Sequence, residues 1–169
     1  FGGVNVLRVN YTDSLSSLFE WDREYGTRPF RGSILVAADP DVVEAERPPR
    51  DDVVSLVSNR DLRALGSAIT RTVRRLSENN DRPVHVCFTW VDAMLAVAGG
   101  KHTFQFLRLL VEMLDRTGDC GGHFHVDPTN VSQRELLTVE QLFDAVTDVD
   151  RRHRRVRPAP ETFVESDRA

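Results

Sequence analysis

Lysine, cysteine and long apolar segments are all scarce in this sequence. Lys101 is the only lysine among the 22 basic residues, and Cys87 and Cys120 are the only cysteines. Each cysteine lies in an apolar run where a small buried hydrophobe fits, so the pattern excludes a disulfide framework and a CxxC metal site. No apolar run approaches the roughly 20 residues of a membrane span, and the first residues lack the pattern of a secretion signal. We therefore expect a soluble, cytoplasmic protein that does not associate with membranes.

The charges are unevenly distributed along the chain. Acidic residues outnumber basic ones by 26 to 22, for a formal net charge of −4, which by itself indicates no class of partner. Residues 151–169, however, carry six arginines and three acidic residues, so this end is locally basic. The preference for arginine and aspartate over lysine and glutamate is typical of GC-rich, salt-adapted genomes.

The apolar pattern alternates between short strands and helices. A chain of 169 residues suits one domain, which we place at residues 1–157, with a flexible tail at 158–169. Strands are predicted at 4–10, 33–38, 53–57, 84–88 and 121–126. Helices are predicted at 14–25, 62–76 and 102–118 and from Ser132, and a closing hairpin at 144–158. Because parallel strands need crossover connections, this order predicts a three-layer α/β fold, a mostly parallel sheet with helices on both faces.

Several motifs together resemble one family. They are "NRDLRALGSAI" (59–69), "VHVCFTWVDAML" (84–95), "HTFQFLRLLVEML" (102–114), "GGHFHVDP" (121–128) and "LFDAV" (142–146). These segments resemble a haloarchaeal family of degenerate RecA-superfamily domains, which are KaiC-like in outline and labelled HTR-like proteins. The resemblance covers nearly the whole chain. It implies a RecA/KaiC-like P-loop NTPase fold that has lost the phosphate-binding loop.

The residues that hold phosphate in a working RecA-like ATPase are replaced here. Such enzymes carry a Gly-rich loop ending in Gly-Lys-Ser/Thr, whose backbone amides and lysine bind phosphates. The nearest string, "AGGKHT" at 98–103, has His102 in place of the hydroxyl residue that ligates the metal. A RecA-like sheet would have one more strand and this loop upstream of residue 1. An ATPase completed by such a segment is therefore the alternative function.

Two carboxylates that the resemblance leads us to expect are replaced by other residues. The strand at 84–88 should end in an aspartate that holds magnesium, but Thr89 and Trp90 stand there and Asp92 comes three residues late. Tyr11 and Thr12 follow the first strand where KaiC-like enzymes keep a catalytic glutamate. We assign no catalytic residue, and we expect that the chain neither binds nor hydrolyses ATP.

Alternating polar residues mark the strand "GGHFHVDP". His123, His125 and Asp127 would share one face of this strand, a spacing that metal hydrolases use. A metal site needs at least three ligands, and no motif links the remaining histidines to these two. Those histidines are His85, His102 and His153. We therefore expect no metal and no cofactor, with Asp127 capping the turn at Pro128.

Ligands of α/β folds nevertheless bind at the carboxyl ends of the strands. His123, His125, Asp127 and Asp92 are for this reason our candidates for binding a ligand. Arginines near the C-terminus are candidates for contact with nucleic acid. They are Arg151, Arg152, Arg154, Arg155 and Arg157. No aromatic residue interleaves them for base stacking, which favours a solvated, charge-balancing segment instead.

The helix at 102–118 is apolar around most of its circumference, so it is either central in the core or at an interface, and we predict an interface. Phe104, Phe106, Leu110 and Met113 are the interface candidates. Together these observations favour a non-catalytic regulatory or protein-interaction domain on a degenerate RecA/KaiC-like fold, with a protein partner or self-association. A regulator that binds nucleic acid through the C-terminal arginines is a further alternative.

Overall fold

A computed structural model describes residues 4–12, 32–39, 53–78, 82–149 and 154–158, without the side chains of 32–36, 53–56, 154 and 155. The chain divides into two compact units, residues 1–127 and 128–169, and each is described by itself. No helix in the described ranges is both long and apolar enough to cross a bilayer.

The first unit contains a five-stranded sheet and three described helices. Its elements are β1 (Asn5–Tyr11), β2 (Gly32–Ala38), β3 (Val53–Ser58), α1 (Leu62–Glu78), β4 (Val84–Thr89), α2 (Val91–Ala98), α3 (Gly100–Arg116) and β5 (Cys120–Phe124). The strand order is β3-β2-β1-β4-β5, and every neighbouring pair is parallel. The predicted α/β class and parallel sheet are confirmed.

Side chains of the strands alternate between two environments, as the pleat of a β-strand requires. One side, the buried face, carries Leu7, Val9, Tyr11, Val84, Val86 and Phe88, all at most 1% exposed. The other side, the histidine face, carries Arg8, Asn10, His85, Cys87, Thr89, His123 and His125. Along β4 the residues of the buried face are buried and those of the histidine face are only half-buried.

Helices α1 and α3 pack on the buried face. Asp61 caps α1, since its carboxylate accepts the Ala64 amide at 2.9 Å. The buried row of α1 consists of Leu65, Ala68, Ile69, Thr72 and Val73. At the end of α1, the carbonyl of Leu76 accepts a hydrogen bond from the side chain of Asn5 in β1.

Helix α3 contributes an aromatic ring to the same core, because Phe106 lies 6.3 Å from Phe88, centroid to centroid. Gly99, at φ 78°, joins α2 to α3 and allows the sharp change of direction between them. The sequence predicts helices on both faces of the sheet. The described helices α1 and α3 cover one face, and the helix predicted at 14–25 lies outside the described residues.

The second unit is smaller. It contains a 3-10 turn (Pro128–Asn130), α4 (Gln133–Glu140), β6 (Ala145–Val149) and β7 (Arg154–Pro158). Ser132 and Glu135 form a reciprocal capping box at the start of α4, as Ser132 predicts. Strands β6 and β7 pair in antiparallel fashion, so the predicted hairpin is confirmed. The tail predicted from residue 158 lies, apart from Pro158, outside the described part of the chain.

Candidate functional site

The histidine face brings together four side chains with metal-binding or nucleophilic atoms. Strand β4 pairs with β5 in parallel, and this register sets Cys87 opposite His123. Because alternate residues share a face, His85 and Cys87 on β4 project to the same side as His123 and His125. We call these four residues the His/Cys cluster.

The members of the His/Cys cluster are in direct contact. Nε2 of His85 lies 2.6 Å from Nδ1 of His123, and Sγ of Cys87 lies 3.7 Å from Nε2 of His125. The ring of His123 is 4.8 Å, centroid to centroid, from each of the other two histidine rings. One ligand atom from each of Cys87, His123 and His125 falls within 4.8 Å of the other two.

Burial and neighbouring charges lower the pKa values of two histidines of the cluster, His123 and His125. Desolvation, with smaller contributions from the neighbouring His125 and His85, lowers the pKa of His123 to about 4. The pKa of His125 is lowered by burial and by the charge of Arg8. Burial raises the pKa of the Cys87 thiol, and Arg8 partly offsets this rise.

The predicted ligand candidates therefore divide into two groups. His123 and His125 lie together on one face, as predicted. Asp127 follows the end of β5, and its backbone amide donates to the buried carboxylate of Asp92 at 3.2 Å. The two aspartates thus fasten the segment after β5 to the start of α2.

Sequence reasoning missed His85 and Cys87. His85 was expected to be unlinked to the other histidines, yet it contacts His123, and Cys87 is half-buried within the cluster rather than a buried core residue. The signal was the alternation of His85 and Cys87 within "VHVCF", which puts both on one face. It became useful only once β4 was known to lie beside β5. His102, in contrast, is exposed on α3, and His153 lies outside the described residues.

The carboxyl ends of β1 and β4 form the point where the strand order reverses, which is the usual ligand crevice of an open α/β sheet. Polar side chains here bond to one another. The hydroxyl of Thr89 lies 2.9 Å from Oδ1 of Asn10 and 3.2 Å from the Val9 carbonyl. The hydroxyl of Tyr11 donates to the backbone carbonyl of Asn59. Thr89 and Asn10 thus bond to each other at the corner where the resemblance would place a magnesium-binding carboxylate, although Nδ2 of Asn10 is buried without a hydrogen-bond partner among the described residues. The Tyr11 hydroxyl instead points towards the end of β3, on the other side of β1 from β4.

Trp90, directly after β4, has a left-handed backbone with φ 59° and ψ 53°. A bulky residue in this region costs on the order of 1 kcal/mol or more, and such strain persists where surrounding bonds enforce it. Two bonds do so here: His125 donates its amide to Phe88, and Val91 donates to the His125 carbonyl. The strained turn therefore fixes the position of the His125 backbone.

A second surface feature lies between α1 and α3. A groove of about 840 Å³ is lined on one side by α1 residues, including four arginines, and on the other by α3 residues. Of the predicted interface residues, Phe106 and Leu110 are at most 9% exposed, and Phe104 and Met113 are half-buried. Leu109, on the same helix, is 58% exposed. Most of the apolar side chains predicted to form an interface on this helix are therefore buried or half-buried within the chain.

The candidate arginines for nucleic acid are only partly described. Arg157 lies on β7 and forms ion pairs with Glu140 at 2.6 Å and with Asp148 at 3.4 Å. Arg154 and Arg155 are placed on β7 by their backbone alone, opposite Val149 and Asp148. The remaining two, Arg151 and Arg152, lie outside the described residues.

Comparison with known proteins identifies one relationship. The DUF7504 family, described as a family of unknown function, matches residues 6–149. No curated protein sequence matches the chain.

Proposed function

Since the chain belongs to the DUF7504 family, whose function is unknown, we propose a function from its own surface: a non-catalytic regulatory domain that binds an acidic, amphipathic segment of another protein. The groove between α1 and α3 is the observation that supports this proposal. We further propose that the domain is a degenerate RecA/KaiC-like ATPase fold.

The floor of the groove offers apolar contact area. Phe106 and Leu110 form its base, and the half-buried Met113 and the exposed Leu109 extend it along α3. The two helices approach each other at Gly66 of α1, where an added Cβ would make ordinary van der Waals contact with the Phe106 ring, at 3.5 Å. An apolar strip flanked by polar residues is typical of surfaces that receive the apolar side of a partner helix.

The rim of the groove is positively charged. Arg63, Arg71, Arg74 and Arg75 line it from α1, all with exposed side chains, against one acidic residue, Glu78. Glu78 pairs only loosely with Arg74, at 3.8 Å. Among the described residues, Arg63, Arg71 and Arg75 have no carboxylate partner. Charge complementarity therefore selects an acidic partner, and it would act mainly on the association rate and specificity.

A protein segment fits this groove better than a nucleic acid. Single-stranded nucleic acids bind through exposed aromatic rings that stack on bases. Phe106 is the aromatic residue of the groove, and its ring is buried in the floor. Leu109 and Met113 instead offer the aliphatic contacts that an amphipathic helix uses.

The proposed loss of ATPase activity rests on the residues at the corner between β1 and β4. Thr89 stands at the end of β4 in place of a carboxylate, and its hydroxyl is bonded to Oδ1 of Asn10 and to the Val9 carbonyl. Asp92, the nearest carboxylate in sequence, accepts the Asp127 amide. Calorimetry with magnesium-ATP should therefore show no saturable heat. Binding at micromolar ATP would contradict the non-catalytic part of the proposal.

A displayed library of helical peptides tests the groove. Selection against the chain should enrich peptides with acidic residues around an apolar face. Their affinity should fall by about tenfold or more for Arg71→Glu/Arg75→Glu. The matched control, Arg82→Glu/Arg134→Glu, makes the same change of net charge at exposed positions outside the groove.

Three outcomes would contradict the proposed partner. Enriched peptides without an acidic bias, or equal loss of affinity in both double variants, would remove the groove as the binding surface. A homodimer in sedimentation that Arg71→Glu/Arg75→Glu dissociates would make a second copy the occupant. Salt-resistant binding of a DNA oligonucleotide that the same variant abolishes would favour the nucleic-acid alternative.

A further inference from the structure

The His/Cys cluster has the composition of a transition-metal site. It offers one thiol and two ring nitrogens, from Cys87, His123 and His125, on neighbouring strands of a rigid parallel sheet. A thiolate with imidazoles suits zinc, whereas calcium and magnesium require oxygen ligands. In the described part of the chain no other group of three such residues comes together.

The spacing of the ligand atoms fits a tetrahedral ion. Zn–S and Zn–N distances of about 2.3 and 2.05 Å at a tetrahedral angle place sulfur and nitrogen about 3.6 Å apart. Sγ of Cys87 and Nε2 of His125 are 3.7 Å apart. The third ligand, from His123, lies within 4.8 Å of both, so its exposed side chain must approach the other two ligands to complete the site.

We propose that Cys87, His123 and His125 bind one Zn²⁺ on the histidine face, with the fourth coordination position left open to solvent. Binding releases the thiol proton of Cys87 to water, and the resulting thiolate neutralises one of the two positive charges of the ion. Three protein ligands with an open position are the arrangement of exchangeable or reactive zinc sites, whereas closed structural sites use four.

His85 has a distinct role as a positioning residue. Its Nε2 lies 2.6 Å from Nδ1 of His123. When Nδ1 of His123 donates its hydrogen to His85, the lone pair on Nε2 of His123 is free for the metal. Partners of this kind orient a ligating imidazole, and their loss typically weakens metal affinity by 10–100-fold.

Cobalt titration of the tag-free, chelator-treated chain tests the site. One equivalent of Co²⁺ should produce the near-ultraviolet band of thiolate-to-cobalt charge transfer together with intense visible bands of four-coordinate cobalt. Zn²⁺ should displace the cobalt and remove both sets of bands. Cys87→Ser should lose the charge-transfer band, and His125→Ala should weaken binding by more than about tenfold.

Two sets of variants sharpen this test. His85→Ala should keep the charge-transfer band but bind zinc about 10–100-fold more weakly in competition with a chromophoric chelator. The controls are Cys120→Ser, at the start of β5, and His102→Ala, exposed on α3, both outside the cluster. Both controls should bind as wild type does.

Alkylation of the wild-type chain gives a readout that needs no variant. Zinc should protect Cys87 from iodoacetamide and leave the rate at Cys120 unchanged, as mass spectrometry of tryptic peptides would show. Equal protection of both cysteines, absence of a thiolate-to-cobalt band, or unchanged affinity in Cys87→Ser would overturn the proposal. Failure of the peptide selection above would leave it standing, because the groove and the cluster share no residue.

Discussion

The two faces of the central sheet are made from alternate residues of the same strands, yet they have opposite chemistry. Beneath α1 and α3, Val86 and Phe88 are fully buried. One residue away along β4, His85 and Cys87 are half-buried and contact histidines of β5. From this difference we expect the two faces to be separable: the buried face should supply most of the stability of the fold, and the histidine face much less.

Truncation of adjacent residues on the two faces should give the largest contrast. Phe88 is fully buried between Phe106 and Phe124, with ring centroids at 6.3 and 5.8 Å. Phe88→Ala should lower the free energy of unfolding by about 3–5 kcal/mol. Cys87→Ala, on the histidine face, should cost less than about 1 kcal/mol. Urea denaturation in the presence of a chelator measures both, and similar losses would show that the faces are not separable.

The free energy of unfolding should fall at high pH because the phenol of Tyr11 is buried. Burial raises the pKa of this phenol from 10.0 to about 12. The unfolded chain therefore loses the Tyr11 proton at lower pH than the folded chain, and the stabilisation, complete below pH 10, is lost as the pH rises towards 12. The expected loss is on the order of 2–3 kcal/mol.

The matched variant for this test is Tyr11→Phe, which has no phenolic proton. Its free energy of unfolding should be lower than wild type at pH 8, because the Asn59 carbonyl loses its donor. Between pH 10 and 12 its decline should be shallower than that of wild type. Parallel curves for the two proteins over this interval would contradict the buried phenol.

Two neighbouring glycines of β5 allow a finer test, because they point to opposite faces. A Cβ at Gly122 would lie 3.2 Å from the Val86 carbonyl and 3.3 Å from Leu114, both closer than an ordinary contact. A Cβ at Gly121 would meet only His85, at 3.7 Å, an ordinary contact. Gly122→Ala should therefore cost about 1–3 kcal/mol.

The matched substitution, Gly121→Ala, should be neutral or stabilise the fold by several tenths of a kcal/mol, since alanine loses less backbone entropy than glycine. Thermal unfolding of the two variants distinguishes the faces. A larger loss for Gly121→Ala than for Gly122→Ala would reverse the assignment of the two faces.

The smallest effect on stability is expected at the outer edge of the groove. Leu109 is 58% exposed on α3, next to the buried Leu110. Leu109→Gln should change the free energy of unfolding by no more than about 0.5 kcal/mol, while Leu110→Gln should cost several times more by burying an amide. A large loss for Leu109→Gln would indicate that this residue belongs to the core, and it would weaken the proposed groove.

The sequence predicts the strands well because short β-branched runs are bounded by glycine, proline and charged residues. At all but one of the strand ends, the predicted and observed boundaries differ by no more than one residue. The exception is β5, which ends at Phe124 rather than at residue 126. There the chain turns away from the sheet, and Asp92 instead of a neighbouring strand accepts the Asp127 amide.

The candidate site could be predicted only in part. Alternation within one strand places His123 and His125 on one face, and this needs no knowledge of the fold. Their contacts with His85 and Cys87 depend on which strands are neighbours and on their register. Both are set by tertiary packing, since every apolar strand of a parallel sheet is a plausible neighbour of every other. The local sequence pattern therefore predicts two of the four residues of the cluster, His123 and His125.

The central position of β1 has a consequence for the order of events during synthesis. This strand leaves the ribosome before both of its neighbours, and the partner of Asn5 on one edge is Val84, far along the chain. Until β4 has emerged, β1 keeps one edge without hydrogen-bond partners, and long-range pairing of this kind is slow. Nascent chains arrested before Thr89 should consequently be digested by protease much faster than chains arrested after β5. The reason is that β1 is hydrogen-bonded along both edges only when β4 is present beside it.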